Sequence, residues 1–79
     1  ANLPQSPAPY ACIFLDAPYH APFLAHTLQH LVTKHWLLPG ALLCVEQEKN
    51  EIIHETEGLT LLDTRHYGKA SLRLYRALS

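Results

Sequence analysis

Two short apolar runs bracket one segment of helical period, and that succession constrains the chain more than any other feature. Residues 11–15 and 41–45 carry no charged, amide or hydroxyl side chain. Between them Leu24, Leu28, Leu31, Val32 and either His35 or Trp36 recur at helical steps, with His26, Gln29, His30, Thr33 and Lys34 opposite. A continuous apolar run of this length marks a strand covered on both faces, and the intervening spacing marks an amphipathic helix with one face on a sheet. Strand, helix and strand in that order form a βαβ unit with parallel strands and a right-handed crossover. Pro22 suits the first helical turn, where its missing N–H is not needed. Leu38, Pro39 and Gly40 are expected to stop the helix and turn the chain.

The flanking segments are of other kinds. Residues 1–9 hold Pro4, Pro7 and Pro9 without apolar periodicity and read as a linker or loop. After the acidic residues Glu46 and Glu48 the chain is polar apart from Ile52 and Ile53, so a loop with at most a turn of helix is expected. Residues 59–64 and 70–77 then read as strands, the second alternating Leu72 and Leu74 against Arg73, Tyr75 and Arg76. Tyr67, Gly68 and Lys69 supply the turn of an antiparallel hairpin.

Composition narrows the function classes. The chain has 79 residues, 48% of them aliphatic or aromatic and only 16% charged, so it wants more burial than so short a chain provides. It reads as a piece of something bigger. Six basic residues against seven acids give a net charge of −1, which sets up no overall field for a polyanion, so nucleic acid would have to be held by local patches. No apolar run approaches the roughly 20 residues of a membrane helix, and the start lacks the basic and apolar regions of a signal peptide. A soluble cytoplasmic protein is the expectation. Cys12 and Cys44 lie inside the apolar runs and read as buried thiols rather than a disulfide.

The first run ends abruptly in Asp16, Ala17, Pro18 and Tyr19. An acid and an aromatic ring at the end of a strand stand at the carboxyl edge of the sheet, where open α/β sheets bind ligands. An acid in this position also serves as a helix N-cap, and Asp16 or a neighbour is a candidate to cap the helix near Pro22.

With these residues in place the chain resembles the C-terminal half of the class I S-adenosylmethionine-dependent methyltransferases that modify exocyclic amines of bases. It is most similar to the RsmD-type guanine-N2 methyltransferases of small-subunit (16S) ribosomal RNA. The segments that carry the likeness are residues 13–19, 35–42, 45–46, 67–68 and 72–76, in order, and together they cover the chain from about residue 10 to its end. The resemblance implies an α/β fold, the C-terminal part of a Rossmann-like methyltransferase sheet, in which the βαβ unit and hairpin are strands four to seven. Residues 1–9 would then be linker and 10–79 a partial methyltransferase domain.

In that family the motif after the fourth strand reads Asp or Asn, Pro, Pro, then Tyr or Phe; Asp16, Pro18 and Tyr19 match and Ala17 departs. The chemistry explains the residue types. An exocyclic amine conjugated to a purine is a poor nucleophile, so acceptors must hold its N–H groups and aim its lone pair. Asp16, with a nearby backbone carbonyl, can accept those bonds as positive charge develops on nitrogen. Tyr19 can stack on a base turned out of its helix, and Pro18 fixes the direction of the loop carbonyl. Glu46, at the end of the second strand, is a further candidate to line the substrate pocket, with a solvated loop acid as the alternative. Arg65, Lys69, Arg73 and Arg76 gather positive charge in the hairpin and could touch RNA phosphates.

Other readings weigh less. His26 and His30 are four residues apart on one helical face, but a metal site needs further converging ligands, so no metal is expected. The resemblance implies S-adenosyl-L-methionine as cofactor. Binding it requires a glycine-rich turn and an acid on an earlier strand, and Gly40, Gly58 and Gly68 form no such loop. The cofactor half is therefore expected to lie outside this chain, which would associate with itself or with a complementary N-terminal half and transfer no methyl group alone. Ribosomal RNA or the assembling small subunit is the expected partner. The competing reading is a small non-enzymatic α/β binding module that pairs through an exposed strand edge.

Overall fold

The structure is a computed structural model that describes residues 8–16, 24–48 and 55–78. Its elements run β1 (Tyr10–Asp16), α1 (Leu24–Thr33), β2 (Leu37–Glu48), β3 (Leu59–Tyr67) and β4 (Ala70–Ala77). The four strands form one sheet in the order β1-β2-β4-β3. β1 and β2 are parallel, as the βαβ pattern requires, while β4 lies antiparallel to both β2 and β3. The expected α/β architecture, a βαβ unit followed by an antiparallel hairpin, is the one observed.

The helix covers one face of this sheet. Leu24, Leu28 and Leu31 are buried against Leu43 and Val45 of β2 and Tyr75 and Ala77 of β4, with Ile13 and Leu15 of β1 packed at the margin. In-register partners share a face, so Ile13 and Leu43, Leu15 and Val45, and Val45 and Arg73 line the covered side. The opposite side carries Cys12, Phe14, Leu42, Cys44, Leu72 and Leu74. It has no cover among the described residues, and Phe14 is 60% exposed. Of the two covers expected for the first strand, the described residues supply one, the helix.

The helix also ends earlier than its spacing suggests. His35 adopts φ 60°, and the amides of His35 and Trp36 donate to the carbonyls of Val32 (3.3 Å) and Leu31 (3.1 Å). This pair of bonds is a Schellman ending with His35 where glycine is usual. Trp36 is therefore not helical. It stacks on Tyr10, with centroids 6.1 Å apart and planes at 14°. Leu38, Pro39 and Gly40 do not stop the helix but lie within β2, where Tyr10 pairs Leu37 and Cys12 pairs Leu42. The extra β2 residues form a bulge, which accommodates a proline that has no amide to donate.

Two glycines are required by geometry. Gly58 has φ 92°, and a Cβ there would come within 2.8 Å of Val32 Cγ1, so it lets α1 approach the start of β3. Gly68, with φ 57°, is the first residue of the two-residue loop between paired Tyr67 and Ala70, as a type II′ turn demands. The hairpin is the one anticipated, with β3 running three residues further than expected to Tyr67 and carrying a bulge between Leu61 and Asp63.

Candidate active site at the carboxyl end of the parallel strands

Asp16 is the last residue of β1 and stands in register with Glu46 of β2. Glu46 in turn pairs with Leu72 of β4, and Leu72 with Arg65 of β3. One row on the uncovered face therefore reads Asp16, Glu46, Leu72, Arg65 across all four strands. Asp16 is exposed and Glu46 partly buried. Both carboxylates thus lie at the carboxyl end of the two parallel strands, where loops converge on ligands in this class of sheet. The expected cap of α1 by Asp16 or a neighbour falls on the stretch 17–23, outside the described residues. Ala17, Pro18 and Tyr19 lie outside the described residues.

Beyond this row the hairpin tip comes to the same edge. Glu48 pairs with Ala70, and Ala70 with Tyr67. Tyr67 is 56% exposed. Arg65 Nε donates to Asp63 Oδ2 at 2.9 Å, and this bond holds the Asp63 carboxyl below and the Arg65 guanidinium above their ordinary values. Of the four hairpin cations expected to be able to touch RNA phosphates, two are placed away from this edge. Arg73 is only 2% exposed, on the helix-covered face between Val45 and Thr64. Arg76 is exposed but sits at the far end of β4, donating to the Gly40 carbonyl at 3.2 Å. Tyr67 was not among the site candidates from sequence. Its signal lay in register, because a two-residue turn fixes which strand end it joins.

The thiols differ from expectation. Both are free, but Cys12 is exposed and Cys44 half-buried. Burial raises the Cys44 pKa above 9.0, and the nearby Cys12 and Glu46 add to the rise, so that thiol stays protonated at neutral pH. His26 and His30 lie side by side on α1 with ring centroids 5.6 Å apart. Among the described residues no three metal-ligating side chains converge, and no helix is long and apolar enough to cross a membrane.

S-adenosylmethionine does not fit the described residues. Gly58 is filled by Val32, while Gly40 and Gly68 sit in a bulge and a hairpin turn, so none offers a cradle between a strand and a helix N-terminus.

The strand order and parallel pair define the class, an open α/β sheet of the methyltransferase kind. The fold resembles a Haemophilus influenzae protein described as a methylase, with TM-score 0.81 and 35% identity over 99% of this chain and 48% of that one. It also resembles an Escherichia coli protein described as a methyltransferase, with TM-score 0.79 and 26% identity over 95% of this chain and 41% of that one. The family model described as conserved hypothetical protein 95 matches residues 1–76, and the chain belongs to that family. Two curated relatives named ribosomal RNA small subunit methyltransferase D are similar in sequence. That of Haemophilus influenzae is 36% identical over 73 residues, and that of Buchnera aphidicola 31% over 67. The matches cover 92% and 85% of this chain but 38% and 35% of those proteins, so the chain spans little more than a third of their length.

Proposed function

We propose that this chain provides the target-amine side of a methyltransferase that modifies an exocyclic amine of guanine in small-subunit ribosomal RNA. The observation that carries the reading is the placement of Asp16 at the carboxyl end of β1, in register with Glu46, in a chain of this family. Asp16 accepts hydrogen bonds from the amine and stabilises the positive charge that develops on nitrogen. Pro18 orients the adjoining backbone carbonyl, Tyr19 stacks on the extruded base, and Glu46 lines the substrate pocket.

S-adenosyl-L-methionine supplies the electrophilic methyl group and is held by polypeptide other than the described residues. The chain alone therefore transfers no methyl group. β1 supports that part of the reading, because among the described residues it is an edge strand with no lysine or internal proline to block pairing, and its Phe14 is exposed. Its complement is an N-terminal half or, failing that, a second copy. The working compartment is the cytoplasm, where small subunits are assembled.

The test fuses the chain behind the N-terminal half of the Haemophilus influenzae relative and measures methyl transfer to small-subunit ribosomal RNA. The fusion should be active, Asp16→Ala should lower kcat by about 100-fold or more, and the unfused chain should be inactive. Methylation by the 79-residue chain alone, or full activity of the Asp16→Ala fusion, would overturn the reading.

A further inference from the structure

The fold sorts the hairpin side chains by face and by end, and what it leaves at the site edge is a slot. A cavity of about 230 Å³ on the uncovered face is lined by Cys44, Asp63, Arg65, Tyr67, Leu72 and Leu74. Leu72 and Leu74 form its apolar floor. The planar guanidinium of Arg65, held by its hydrogen bond to Asp63, and the exposed Tyr67 ring stand at its rim. Lys69 follows in the adjoining turn, exposed.

We propose that this slot holds an unpaired base of the RNA strand that carries the target amine, stacked on Tyr67, with Lys69 on a neighbouring phosphate. The inference rests on the ribosomal RNA reading above and names a second contact for the same substrate. Several features favour RNA. An apolar floor with a ring and a planar cation at the rim matches a stacked base, the usual way proteins grip single-stranded RNA. The Arg65 charge is already met by Asp63, so Arg65 serves as a flat wall and the phosphate falls to Lys69. The slot shares the face and the sheet edge of Asp16. β1 and β3 are three inter-strand spacings apart, about 14 Å at about 4.8 Å each, a gap that a short run of unstacked strand bridges.

Fluorescence anisotropy of the 79-residue chain with a short labelled single-stranded RNA tests the slot. Tyr67→Ala should weaken binding about tenfold, whereas Tyr67→Phe, which keeps the ring and removes the hydroxyl, should bind as the parent does. Lys69→Ala should reduce the slope of log K against log salt by about one. Arg76→Ala, at the far end of β4, should change affinity less than twofold. Absence of RNA binding by the parent chain, unchanged binding by Tyr67→Ala with its circular dichroism intact, or an equal loss in Arg76→Ala overturns the proposal. In the fusion, Tyr67→Ala should raise KM for ribosomal RNA at constant kcat. An active fusion with unchanged KM removes the slot and leaves the proposed function, while an inactive fusion whose RNA binding still depends on Tyr67 does the reverse.

Discussion

Asp16 and Glu46 are direct partners across the parallel β1–β2 ladder, so two carboxylates stand side by side on one face at the carboxyl end of the sheet. Neither closes the core: Asp16 is exposed, Glu46 only partly buried, and the buried cluster lies on the opposite face. Under the proposed function these two acids, outside the buried cluster, are the acceptors that meet the N–H groups of the substrate.

The two acids should separate kinetically. Glu46→Gln in the fusion is expected to raise KM for RNA several-fold with kcat held, and Asp16→Ala to lower kcat with little effect on KM. Steady-state kinetics on both variants checks the division. An equal fall in kcat from both would place Glu46 at the reacting amine.

Burial on one face predicts unequal costs of truncation. Leu28 is fully buried, so Leu28→Ala should destabilise the chain by about 2–5 kcal/mol. Phe14 is 60% exposed on the uncovered face, and Phe14→Ala should cost less than about 0.5 kcal/mol in the monomer. Urea titration at low concentration measures both, and sedimentation should show less self-association for Phe14→Ala.

Much of this fold was legible because the signals were local. The apolar runs, the helical spacing of Leu24, Leu28 and Leu31, and the Tyr67–Lys69 turn each specify an element without reference to the rest. What escaped was set by tertiary contact. Pro39 and Gly40 look like a helix stop, yet the helix had already ended at His35, whose positive φ is less readily read from sequence than a glycine's. Arg73 alternates with Leu72 and Leu74 as a solvent-facing residue would, but α1 lies over its face, so the polar-looking stripe is the buried one. For the site, Asp16 was visible as a strand-end acid, whereas the approach of Tyr67 to the same edge depends on the pairing of β4 with both β2 and β3.

The unusual cap offers a stabilising substitution. A non-glycine residue in the left-handed region costs about 1–2 kcal/mol in steric strain, and His35 occupies it at φ 60°. His35→Gly should therefore stabilise the chain by about 0.5–1 kcal/mol, after the added entropy of the unfolded glycine. A lower urea midpoint would show that the imidazole makes a compensating contact.

The thiols should react unequally, with a matching pH dependence. Iodoacetamide at mildly alkaline pH is expected to modify exposed Cys12 well before Cys44. Because the folded Cys44 pKa lies above the unfolded value of 9.0, the unfolded thiol ionises first as pH rises. The native state binds more protons there, so stability is full below pH 9 and falls above it. Comparing urea midpoints of the parent and Cys44→Ala across that range isolates the Cys44 share, the variant keeping only the fall at higher pH from buried Tyr75, whose pKa burial also raises.

Gly58 provides the sharpest test of how α1 sits on the sheet. Its φ of 92° is strained for any other residue, and an added Cβ would lie 2.8 Å from Val32 Cγ1. Gly58→Ala should cost about 1–3 kcal/mol from backbone strain and overpacking together. Val32→Ala opens space beside it, so the double variant should be less destabilised than the sum of the singles, the difference being the steric part. Strict additivity would mean that backbone strain alone sets the cost and that α1 stands further from residue 58 than the structure has it.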